Sequence, residues 1–299
     1  MHNVSIVTLA LLSLLLGFST TVKGQSSAFK VEKSGEGSPV ILIPGLSCDG
    51  QVWDQTVGML EEDHECHVLT LAGFAGQAPM DLSKGFLPVV EKEIMAYIKE
   101  EKLNRPVIIG HSLGGFLAMS LAANHPKQIG KVVIVDSYPF LPAAQNPMAT
   151  EESMKPIVES MKQQYAKQTE ESYQTQLEMT LNSMIATKDS IPVVKEWGVG
   201  TDRETETQAM VELYGTDLRD DIATIESPVL VLAAWVAYKP YGVTKEMILS
   251  NLMSQYQTVA DVDIQLSDTG YHFLMWDDPE FTLGAIEDFL AEENSMSPR

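Results

Sequence analysis

The sequence predicts an α/β fold: a doubly wound, mostly parallel sheet with a helical lid inserted after the sixth strand. Three observations predict it. Short, continuous apolar runs at 40–43, 106–109, 131–136 and 228–233 have the make-up of parallel strands buried on both faces. Stretches of helical period lie between them and give a βαβ rhythm. From 143 to about 215 that rhythm stops, and only helical patterning is present.

In chain order, 29–32 alternates as a short strand and 34–39 is a Gly/Ser/Pro turn leading into strand 40–43. A helix at 53–60 connects to strand 67–71, which the Gly-rich loop 72–77 closes. Val90, Ile94, Tyr97 and Ile98 recur at helical spacing across 86–102, ahead of strand 106–109 and a helix at 113–124. Strand 131–136 ends on Asp136. In the lid, Met154, Ile157, Val158, Met161 and Tyr165 mark one amphipathic helix, and Tyr173, Leu177, Leu181, Met184 and Ile185 mark another. The lid reads as removable, so excising 143–215 is expected to leave a foldable sheet. Strand 228–233, a helix near 244–256 and strand 262–266 follow, then a loop with His272 and a last helix with Asp278 as cap and Pro279 in its first turn.

Residues 4–22 form an apolar block whose centre, 6–18, is shorter than the ~20 residues of a membrane span, and Val22 and Gly24 fit a cleavage site. The expectation is a signal peptide at 1–24 and an exported α/β domain at 25–299, periplasmic or secreted, with no membrane anchor after cleavage. An uncleaved anchor is the alternative. Two cysteines, Cys48 and Cys66, suit a disulfide in an oxidising compartment, but a helix between them would separate them, so bonded and free forms both stay open. With 20 Lys+Arg against 41 Asp+Glu, the net charge of −21 argues against nucleic acid and anionic lipid as partners. No zinc-type Cys/His spacing and no phosphate-binding Gly loop is present, so neither a metal nor a cofactor is expected. Oligomeric state is not readable.

Gly110-His111-Ser112-Leu113-Gly114 stands between an apolar strand and a helix. A sharp strand-to-helix turn holds Ser112 in a strained conformation, glycines at both flanks avoid collisions, and the helix start offers unpaired N–H groups to a developing oxyanion. Ser112 is thus the candidate nucleophile. Of six histidines, only His272, in a loop beyond the last strand, is placed to serve as its base, whereas His111 should point away and pack. Trp235 and Tyr238 could wall a pocket at the carboxyl ends of the strands. Methionines of the lid, among them Met148, Met154, Met161, Met179, Met184 and Met210, fit helix packing better than substrate contact.

At these motifs the chain resembles the α/β-hydrolase superfamily over 29–292. The segment 110–114 is similar to its nucleophile elbow, Ile43-Pro44-Gly45-Leu46 to its oxyanion loop and Gly270-Tyr271-His272 to its histidine loop. Residues 70–77 look like a loop of exported bacterial members, a looser match. The resemblance implies the fold and a nucleophile–acid–histidine triad, but no substrate; the expected mechanism is two-step acyl transfer, with the N–H groups of Leu46 and Leu113 holding the oxyanion and carboxylic esters or lactones as substrates. A serine nucleophile argues against the dehalogenase and epoxide-hydrolase branches, which use aspartate.

The chain departs from the pattern twice. Pro44 replaces the usual histidine of the oxyanion loop, and the segment 233–242, where the family's acid normally follows its seventh strand, holds no carboxylate. Asp136, ending what is the sixth strand in the family's order, is the favoured substitute, and Asp268 is the alternative. A non-catalytic small-ligand receptor on the same fold is the second functional reading, since it would tolerate an incomplete triad.

Overall fold

The apolar runs become the middle of one seven-stranded sheet in a computed structural model that describes residues 28–292. The strands are β1 (Phe29–Ser34), β2 (Ser38–Ile43), β3 (His64–Leu71), β4 (Val107–His111), β5 (Val132–Val135), β6 (Val229–Ala233) and β7 (Val262–Leu266), in the order β1-β3-β2-β4-β5-β6-β7. Only β1 is antiparallel, against β3. Side chains alternate between faces with period two. Ile41, Ile43, Val132, Ile134, Val229 and Val231 enter one buried cluster, whereas Val40, Leu42, Val133, Val135, Leu230 and Leu232 enter the other.

Helices cover both faces. Among the described residues they are α1 (Asp54–Leu60), α2 (Leu87–Glu100), α3 (Leu113–Asn124), α4 (Glu151–Lys167), α5 (Glu170–Met184), α6 (Ile191–Val199), α7 (Arg203–Gly215), α8 (Lys245–Gln255), α9 (Leu274–Asp277) and α10 (Pro279–Ala291). α2, α3 and α8 pack on the first face, and α1 and α10 on the second. Every residue of α3 but Asn124 is buried, as expected of a helix that is apolar all round.

Several expectations change. The helical insertion follows β5, the fifth strand by chain count, because only β1 precedes β2 among the described residues. It holds four helices rather than two. Their starts are capped by Thr150, Thr169 and Asp202, each accepting from a backbone N–H three residues on, at α4, α5 and α7. The insertion packs into the rest of the domain. Ala209 and Leu213 of α7 belong to the core cluster of the sheet, and the Glu212 carboxylate accepts the N–H groups of Phe86 (2.9 Å) and Leu87 (2.7 Å) at the start of α2. The α6–α7 turn is likewise sewn to the loop after β3, through Asp202 N–H to the Gly73 carbonyl (2.7 Å) and Gly76 N–H to the Gly200 carbonyl (3.0 Å).

His64 and His67 lie within β3, and His67 is buried with Nδ1 2.6 Å from the Tyr97 hydroxyl. Cys48 and Cys66 are both free and buried. Burial pushes the Cys48 thiol up to about 12 and the Cys66 thiol to about 11. Asp278 occupies the cap position of α10, but its Oδ2 accepts the Ser267 (2.5 Å) and Thr269 (2.8 Å) hydroxyls instead of a helix N–H. The expected signal peptide at 1–24 lies outside the described residues.

Candidate active site

At the junction of β4 and α3, Ser112 has φ 53° and ψ −115°, a left-handed backbone that an L-residue adopts only under constraint. The constraint is close packing. A Cβ on Gly110 would sit 2.1 Å from the Gly114 carbonyl oxygen, and one on Gly114 would sit 2.2 Å from that of Ile43. Ser112 N–H is held by the Val135 carbonyl at 2.9 Å. Leu113, whose side chain is fully buried, is the first residue of α3, so its N–H has no acceptor within the helix.

Asp136, one residue past β5, also has a positive φ of 48°. Its N–H donates to the Leu232 carbonyl (2.7 Å), and its Oδ1 accepts the Ala234 N–H (2.8 Å). That leaves Oδ2 for His272, whose Nδ1 lies 2.6 Å away. Asp136 is buried, which keeps water from competing for the pair. Asp268, the alternative acid, instead pairs at the surface with Lys245 (2.6 Å).

The His272 loop is tied from several sides. Ser267 Oγ accepts the N–H groups of Thr269 (3.1 Å) and Gly270 (2.7 Å), and Asp277 Oδ2 accepts that of Tyr271 (3.1 Å). His111 Nε2 donates to the His272 carbonyl at 3.0 Å. The His111 ring packs 4.6 Å from that of His272 and 4.9 Å from that of Phe273. Burial, with a smaller contribution from His272, drives the His111 pKa well below its ordinary value.

Gly45 packs against the His111 ring and Ser112, and its carbonyl accepts the Cys48 N–H (3.2 Å), closing a turn in which Leu46 and Ser47 are central. Ser47 has φ 60°. Leu46, Ser112, Asp136, Tyr238 and His272 all border one cavity of about 360 Å³. Among the described residues its carboxylates are Asp136 and Glu206, and none of the lining residues is Lys or Arg. Met184 and Met210 contribute to the wall, whereas Met154 packs with Phe140 and Met148 and Met179 are exposed. Among the described residues no group of three His, Cys, Asp or Glu is arranged to hold a metal ion.

Trp235 departs from the expectation: it is not in the cavity wall. Alternation beyond β6 sends Ala234 to one face and Trp235, like Ala233, to the other, where it packs on the helix-covered core. Glu206 and Tyr138, which do line the cavity, were not singled out in the sequence, and Tyr173 was read there only as part of an amphipathic helix. The available signal at Glu206 was weak: a carboxylate three residues from Arg203 on a helix without a clear apolar stripe.

A profile described as the alpha/beta hydrolase family matches residues 40–285. A pimeloyl-[acyl-carrier protein] methyl ester esterase of Vibrio atlanticus is 33% identical over 156 residues, which is 50% of this chain and 55% of that protein. That of Vibrio cholerae is 26% identical over 206 residues, 67% of this chain and 76% of that protein. The chain thus spans little more than half the length of the first of these relatives. An enol-lactonase from Burkholderia xenovorans LB400 has the same fold, with a TM-score of 0.70 at 18% identity, covering 88% of this chain and 96% of that one. The elbow at Ser112, the sheet order and a profile match over most of the described residues agree, and the chain belongs to the alpha/beta hydrolase family.

Proposed function

We propose that the protein is a serine hydrolase that cleaves carboxylic esters or lactones by two-step acyl transfer. The observation that carries this reading is the Asp136–His272 pair beside the Ser112 turn, at the edge of one cavity. With Nδ1 of His272 directed to Asp136, Nε2 is the atom that takes the Ser112 proton as Oγ attacks the carbonyl carbon. The N–H groups of Leu46 and Leu113 stabilise the resulting oxyanion. Collapse breaks the bond to the alcohol oxygen, which leaves with the proton from His272. Water, deprotonated by the same imidazole, then releases the acid.

The methyl ester esterase relatives support carboxylic esters as the substrate class. A lining without Lys or Arg favours substrates that are uncharged near the scissile bond, since no cation is present to pair with a carboxylate. The receptor reading drew its support from an acid missing after 228–233, and the contact between Asp136 and His272 favours the enzyme reading over it. A panel of esters and lactones of graded acyl length, measured with the wild type and Ser112→Ala, tests the proposal. It predicts turnover of at least one series by the wild type and loss of nearly all of it in the variant. Turnover by Ser112→Ala within tenfold of the wild type would contradict it.

A further inference from the structure

One buried carboxylate ties the helical insertion to the loop that carries the Leu46 N–H. Glu206 projects from α7 into the cavity wall, and its Oε1 accepts the Ser47 hydroxyl at 3.1 Å. The Tyr173 hydroxyl of α5 lies 3.3 Å from the same oxygen and 3.0 Å from the Gly198 carbonyl of α6. On the other side, Arg203 Nε is 3.6 Å from Glu206 Oε2, and its guanidinium lies 3.4 Å over the Tyr173 ring. The backbone beneath is fixed too, because Thr205 packs against Gly73 and Asp202 N–H donates to the Gly73 carbonyl. Burying a carboxyl costs stability that its hydrogen bonds and a nearby cation only partly offset. Burial raises its pKa, and Arg203, Ser47 and Tyr173 pull it back.

Ser47 is where that cluster meets the chemistry. It is a non-glycine residue at φ 60°, adjacent to Leu46, in a turn whose first residue packs on Ser112. A left-handed serine relaxes unless something holds it, and a rotation there swings the preceding peptide. We propose that Glu206 is a positioning residue: by holding the Ser47 hydroxyl it fixes the turn that aims the Leu46 N–H at the oxyanion. The inference rests on the acyl-transfer reading above. Glu206 touches no reacting atom in this account and acts through Ser47.

The test measures kcat and KM on p-nitrophenyl butyrate for Ser47→Ala, Glu206→Ala, Glu206→Gln and the Ser47→Ala/Glu206→Ala double variant, beside Ser112→Ala. A misaimed donor costs less than the ~10²–10³ of a deleted one, so Ser47→Ala and Glu206→Ala should each lower kcat by about tenfold with KM little changed. The double variant should be no slower than either single one, because both remove the same contact. Glu206→Gln keeps an acceptor oxygen and should stay within about threefold of the wild type. Wild-type kcat in Ser47→Ala overturns the proposal, as does a Glu206→Gln variant as slow as Glu206→Ala. If Glu206→Ala does not fold, Ser47→Ala and Glu206→Gln decide alone. An active Ser112→Ala would instead remove the acyl-transfer reading itself, which separates the two failures.

Discussion

Nδ1 of His272 lies 2.6 Å from Oδ2 of Asp136, a carboxylate 136 residues earlier in the chain, at the end of the strand next to that of Ser112. In the proposed mechanism this contact fixes the imidazole tautomer and offsets the charge the ring gains when it takes the serine proton. Asp136→Asn should therefore fold and lose about 10⁴ in kcat. Asp268→Asn should keep wild-type turnover, since Asp268 is exposed and pairs with Lys245 at the surface rather than with His272. Ester kinetics with a melting curve for each variant check this. A folded Asp136→Asn retaining more than a tenth of wild-type kcat would refute the assignment.

The Glu212 carboxylate of α7 caps the start of α2 and so holds the insertion to the rest of the domain. Glu212→Ala leaves two helix-start N–H groups without their acceptor and should lower the unfolding free energy by about 1–2 kcal/mol. Chemical denaturation at neutral pH reads this directly, and an unchanged midpoint would show that water replaces the carboxylate at no cost. For the same reason excision of 143–215 should yield insoluble chain, because it strips Ala209 and Leu213 from the core.

His111 is buried and resists protonation in the fold, so the unfolded chain binds a proton there more readily. Its contribution is complete above the ordinary histidine value of about 6.5 and is lost as pH falls below it. Between pH 7.5 and 5.5 the wild type should lose more stability than His111→Gln, which keeps a donor for the His272 carbonyl but does not titrate. Denaturation curves at the two pH values supply the comparison. Equal losses in the two proteins would mean that His111 is protonated in the fold.

The sheet was legible because its central strands are apolar on both faces, which makes 40–43, 132–135 and 229–233 uninterrupted in sequence. β3 begins earlier than its apolar run, since His64 and Glu65 at its half-buried start carry no such signal. The strand-to-helix turn at Ser112 and the loop position of His272 were legible from the motifs around them, and the place of Asp136 at a strand end from the apolar run before it. α7 was not, because burying Thr205, Glu206, Ala209, Val211 and Leu213 leaves no single apolar stripe to detect. The role of Asp278 was half legible: its position at the start of α10 could be read, whereas the turn of its carboxylate toward Ser267 and Thr269 depends on a loop with no regular pattern.

The central claim, that Ser112 is an activated nucleophile, is tested most directly by intact-mass measurement after incubation with a fluorophosphonate, followed by peptide mapping. The reagent bonds to a serine only where a base removes its proton and N–H groups stabilise the phosphoryl oxygen. The account predicts one adduct per chain, on the peptide containing Ser112, and none in Ser112→Ala. A wild-type protein that stays unlabelled, or a Ser112→Ala variant labelled to the same extent, would contradict it.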